Sequence, residues 1–105
     1  MSVPVDPRIA ELRGRIDALD EQLIAVLAER VGVVREVARH KTDEAAVRAP
    51  DRVEQVVAKV RALAEAHGLP PELVEKVYRL LIAELTALEL ASVERRLADG
   101  AGAAG

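Results

Sequence analysis

The sequence predicts an all-α chain of three helices, the first of them very long. Three features carry this. Apolar residues recur at helical spacing through residues 7–41, with no proline after the first position. Prolines stand at Pro50 and at Pro70-Pro71, where two further apolar-periodic stretches begin. The chain is 50% hydrophobic yet holds one aromatic residue, Tyr78, so its core must be Leu, Val, Ile and Ala, which suits helix packing. One domain is expected over the 105 residues, ordered over about 7–97.

Helix 1 is expected to start at Asp6-Pro7, a capping carboxylate followed by proline at the first helical position. Its stripe includes Ile9, Leu12, Ile16, Leu19, Leu23 and Val26, and continues through Leu27, Val33, Val34 and Val37. About 35 residues at ~1.5 Å each span roughly 50 Å. A compact chain of this size has a radius of gyration of only about 13 Å. Helix 1 is therefore too long to be covered by its own chain, and much of its stripe is expected to face another subunit.

Positions 9, 16, 23, 30 and 37 share one seam, and Arg30 interrupts it among Ile, Ile, Leu and Val. A guanidinium on such a seam needs a partner, because an unpaired buried charge costs several kcal/mol. Lys41 lies 11 residues on, roughly 16 Å along the axis and on the same face. The two cations could hold a small anion between them; the plainer alternative pairs Arg30 with Glu29, Glu36 or a carboxylate on helix 2 or 3. Arg13, 17 residues before Arg30, is about 25 Å away. It could approach the same anion only from an antiparallel partner chain.

Residues 42–49 lose the periodicity and read as a connection, with Ala49 pushed out of the helical region by Pro50. Helix 2 is expected over 50–67, buried through Val53, Val56, Val57, Val60 and Leu63. His67 and Gly68 end it as a solvated capping residue and a C′ glycine. Helix 3 is expected over about 71–97. Its LLIAELTALELA run is apolar nearly all round, so it should be the most enclosed segment. Glu89, in line with Leu81 and Leu85, is either an inward carboxyl or a surface glutamate. Residues 98–105 are small and unpatterned and read as a flexible tail.

The absences narrow the chemistry. Without cysteine there are no disulfides, thiolate nucleophiles or thiolate metal sites, which does not conflict with the cytoplasmic location expected. A net charge of −3 gives no overall support to nucleic-acid binding. No secretory leader is expected from the first residues, and no run of about 18 apolar residues suggests a membrane span. His40 and His67 are not at ligand spacing, and no phosphate loop, dinucleotide fingerprint or nucleophile elbow is present. What remains, cations on apolar faces and one inward glutamate, suits gripping a small multivalent anion. It suits a reaction that needs no nucleophile and is accelerated by restricting conformation and stabilising developing charge.

Taken together, LRGRIDALDEQLIAVLAERVGVVREVARHK, the following PDRV and the later VYRLLIAELTALE resemble the all-α, AroQ-class chorismate mutases over about residues 8–97. The resemblance implies an intertwined homodimer with two sites built from both chains. It implies a cofactor-free Claisen rearrangement of chorismate to prephenate, without a metal. Arg30 and the partner chain's Arg13 would then bind the substrate carboxylates, Lys41 the ether oxygen and a carboxylate, and Arg52 would add a contact. Glu89 would face the ether oxygen, so Lys41, Glu89 and Arg30 would be the catalytic groups. Two positions depart from the family pattern: Val53 stands where some members carry a carboxylate, and Leu85 where a serine is common. The stretch from Lys41 to Arg52 is closer to the isochorismate-pyruvate lyases, which share the fold. Isochorismate or the 4-amino analogue of chorismate thus remain alternative substrates, and a non-catalytic dimerisation or metabolite-binding module a further alternative.

Overall fold

The computed structural model describes residues 6–40 and 47–103, with side chains to residue 100. Among them are three long helices: α1 (Pro7–Ala38), α2 (Pro50–Ala66) and α3 (Pro71–Ala103). The all-α class and the order of elements are as the sequence predicts. Residues 42–46 of the expected connection lie outside the described residues; Val47 and Arg48 are helical. The chain divides into two units, residues 1–34 and 35–105.

The first unit is the long N-terminal part of α1. The Asp6 carboxylate accepts from the Arg8 amide at 2.8 Å, and the Asp6 carbonyl accepts from the Ala10 amide, which fixes the helix start. Ile9, Leu12, Ile16, Leu19, Leu23 and Val26 are all exposed, Leu23 to 64%.

The second unit packs α2 against α3. Its buried apolar groups are Ala38, Val47, Val57, Val60, Ala64 and Val93. An ion-pair chain crosses the α2–α3 seam. Arg61 bridges to Glu75 at 2.7 Å and to Glu72 at 3.5 Å. Arg79 bridges back to Glu75 at 2.7 Å and, through both terminal nitrogens, to the two oxygens of Glu54 at 3.1 Å. The Arg79 hydrogen bond is the main cause that holds the Glu54 and Glu75 carboxyls below the usual glutamate range.

Local chemistry explains the helix ends. α2 closes in a Schellman arrangement: the Leu69 amide reaches the Ala64 carbonyl at 2.8 Å, the Gly68 amide reaches Glu65, and Gly68 adopts φ 72°. His67 is the C-cap, as its sequence context predicts. At the other end Ala49 takes φ 32°, a left-handed conformation rare for alanine. Its carbonyl accepts from the Arg52 and Val53 amides.

Four expectations are corrected. α1 ends at Ala38 rather than at Lys41, its last amides tightening into a turn where His40 donates to Val37. In α2 the buried stripe passes through Ala64, four residues after Val60, and leaves Leu63 exposed. In the run 80–91 only Glu89 is buried, while Leu80 and Leu88 are exposed: a helix that is apolar nearly all round has more apolar surface than its packing within this chain covers. Finally, α3 continues to Ala103, beyond the expected end at 97. Alanine has the highest helix propensity and no proline intervenes, so the helix continues through Gly100.

Candidate functional site

Each unit holds part of the predicted cation set. On the first, α1 carries Arg13, which is exposed, and Arg30, which is half-buried. Both lie on one helix 17 residues apart, about 25 Å along its axis. A single copy of α1 therefore does not bring them to the same small ligand.

The second unit carries Arg52 and Glu89. Arg52 is exposed in the opening turn of α2, held by its amide bond to the Ala49 carbonyl at 3.0 Å. Proline at the first helical position and the acceptor carbonyl of Ala49 set that turn. Glu89 is 8% exposed on α3, the one buried charged residue type among the described residues. Leu81 and Leu85, its i−8 and i−4 neighbours, are half-buried, so the inward line expected from sequence is present. Lys41 lies outside the described residues.

One arginine near this region was not singled out by the sequence reading. Arg96 donates to the Ala38 carbonyl at 3.0 Å and to the Arg39 carbonyl at 3.2 Å. The available signal was spacing: Glu89, Val93 and Arg96 stand at i, i+4 and i+7, on one face of α3. Val93, between the other two, is 2% exposed. That face thus presents a carboxyl, an apolar contact and a guanidinium in succession, the last bound to the end of α1.

Comparison with known proteins bears on what these groups serve. The chain is 36% identical over 77 residues to the T-protein of Enterobacter agglomerans, covering 72% of this chain and 21% of that protein. It is 32% identical over 83 residues to an isochorismate pyruvate lyase of Pseudomonas aeruginosa, covering 78% of this chain and 82% of the lyase. It is 26% identical over 83 residues to a chorismate mutase of Methanocaldococcus jannaschii, covering 78% and 84%. The chain thus spans about a fifth of the T-protein and more than four fifths of the other two. The family model of chorismate mutase type II matches residues 12–90, a span reaching from the arginine-bearing part of α1 to the buried carboxyl on α3. With three quarters of its length inside that match, the chain belongs to the chorismate mutase type II family.

Proposed function

We propose that the protein is a chorismate mutase whose two sites are each shared between two copies of the chain. The observation that carries this reading is the family match over residues 12–90, which takes in Arg13, Arg30, Lys41, Arg52 and Glu89 together. In the rearrangement the allylic C–O ether bond breaks as a C–C bond forms, with every electron and proton supplied by the substrate. The protein needs only to hold the reactive conformation and stabilise the charge that develops on the ether oxygen. Arg30 and the second chain's Arg13 bind the two carboxylates, Lys41 and Glu89 address the ether oxygen, and Arg52 adds a contact.

The exposed stripe on α1 supports the shared assembly. Burying one leucine or isoleucine side chain is worth about 1.5–3 kcal/mol. A second copy laid antiparallel would cover Leu12, Ile16, Leu19 and Leu23, and would bring its Arg13 toward this chain's Arg30.

A second reading, isochorismate pyruvate lyase, is favoured by the likeness to the Pseudomonas aeruginosa lyase along most of that protein's length. Incubating the purified chain with chorismate and, separately, with isochorismate decides between them. Prephenate from chorismate is the expected result. Salicylate and pyruvate from isochorismate, with no prephenate from chorismate, would replace the first reading by the second. No turnover of either would leave the 4-amino analogue or a non-catalytic role.

A further inference from the structure

Every nitrogen of the Arg79 guanidinium donates to a carboxylate. Nε reaches Glu75, four residues back on α3, at 2.7 Å, and the two terminal nitrogens reach the two oxygens of Glu54 on α2 at 3.1 Å each. A single exposed ion pair holds little, but a two-point fork on a carboxylate fixes orientation as well as distance. This fork is steadied from its own helix by Glu75, which Arg61 grips from α2 at 2.7 Å. Glu54 stands two residues after Arg52, in the opening of α2. There the Arg52 and Val53 amides donate to the Ala49 carbonyl at 3.0 and 3.2 Å. The start of α2 is thus fixed within its own backbone and again by the Arg79 fork. The pairs 61–75 and 54–79 run in opposite order, so α2 and α3 are antiparallel, and Arg52 lies on the Glu89 side of Glu54. Glu89 is ten residues beyond Arg79, about 15 Å along α3, which puts the levels of Arg52 and Glu89 roughly 12 Å apart.

We propose that Arg79 is a positioning residue for the reaction. By gripping Glu54 it fixes the register of the α2 start against α3, and so the place from which Arg52 meets a substrate that Glu89 faces. This inference rests on the proposed mutase reading, in which Arg52 contacts the substrate and Glu89 the ether oxygen. All four residues belong to the second unit. Arg79 touches no substrate in this reading; its donors are taken by carboxylates of its own chain. A lysine in its place would keep the charge and lose the fork. A misplacement of about 1 Å can cost about a hundredfold in rate. Arg52 supplies one contact among several, so a smaller effect is expected.

The test uses the full chain in a cycle of Arg79→Ala, Arg52→Ala and the double variant. Each is followed by amide hydrogen exchange and by steady-state kinetics on chorismate, at high enzyme concentration where turnover is slow. Arg79→Ala is expected to speed exchange at the Arg52 and Val53 amides more than at residues 57–64. It is expected to raise KM about three- to tenfold while kcat changes less. In chains already carrying Arg52→Ala, adding Arg79→Ala is expected to move KM less than about twofold, because the contact that it positions is gone. Arg79→Lys is expected to give a KM between those of the parent and Arg79→Ala. Unchanged exchange at the Arg52 and Val53 amides overturns the clamp. Faster exchange there with parental KM overturns the positioning role. So does a rise in KM of equal size in both backgrounds, which marks a general structural effect, and so does a parental KM in Arg52→Ala. If Arg79→Ala does not fold, Glu54→Gln opens the fork from its other end and enters the same cycle with the same outcomes. A parent chain that does not turn over chorismate overturns the mutase reading and this role in it; the exchange measurement then still decides whether the fork holds the α2 start.

Discussion

If each site takes its cations from two chains, two inactive variants should repair one another. Arg13 and Arg30 lie about 25 Å apart on one α1, so one site cannot use both from the same copy. Consider Arg13→Ala mixed in equal amounts with Arg30→Ala. Random exchange places about half of the molecules in mixed dimers. In each mixed dimer one site joins the intact Arg30 of the first chain to the intact Arg13 of the second, and the other site has lost both. One site in two, in half of the dimers, gives about a quarter of the wild-type rate. The assay is chorismate consumption before mixing and after a mild unfolding–refolding cycle, with exchange confirmed by mass spectrometry of differently tagged chains. Each variant alone should be nearly inactive. If mixed dimers form and activity stays at the level of the separate variants, the shared site is wrong. If Arg13→Ala alone is fully active, Arg13 is not a substrate ligand.

Three other outcomes follow from particular residues. Glu89 is proposed to face the ether oxygen, so removing its side chain should lower turnover: Glu89→Ala should lose at least about tenfold in kcat on chorismate. Glu89→Gln, which keeps a hydrogen-bond donor of nearly the same shape, should retain far more of that rate; a parental rate in Glu89→Ala removes Glu89 from this role. The ion-pair chain predicts acid sensitivity. Glu54 and Glu75 have depressed folded-state values, so their stabilisation is present above the ordinary glutamate value of 4.5 and lost as pH falls through the lower folded values. Urea denaturation between pH 6 and pH 3 should show a smaller loss of stability in Glu75→Gln than in the parent, and equal losses would show that the pairs contribute nothing. Gly32 lies inside α1, and a Cβ added there meets nothing within 4 Å. Gly32→Ala should therefore raise stability by about 0.5–1 kcal/mol, measured as a higher denaturation midpoint.

The helices were legible because their signals are local. Asp6-Pro7 caps α1, and His67-Gly68 closes α2 with the hydrogen bonds that its residue types predict. Periodicity also placed Val57 and Val60 in the core. Burial along α3 was less legible, since an almost uniformly apolar helix does not declare which flank its neighbour covers. The same limit explains the exchange of Leu63 for Ala64: both fit the α2 pattern, and only the position of α3 selects the smaller residue. Ala49 shows a further kind of gap. Proline at 50 told that residue 49 leaves the helical region, but no residue type there signals its left-handed φ of 32°.

The candidate site was legible in the sequence as a set of residue types and not as a place. Arg30 and Glu89 stand out because each falls on an apolar line, and such interruptions need a reason; Arg13 entered through its distance from Arg30, and Arg52 through the family resemblance alone. Arg96 does not stand out, because it follows Arg95 near the end of a helix, where arginines are commonplace, and the Ala38 and Arg39 carbonyls that accept from it are backbone atoms that leave no mark in sequence. The distinction is physical. A charged group on an apolar line is visible in the sequence, whereas a group that satisfies the chain's own carbonyls is not.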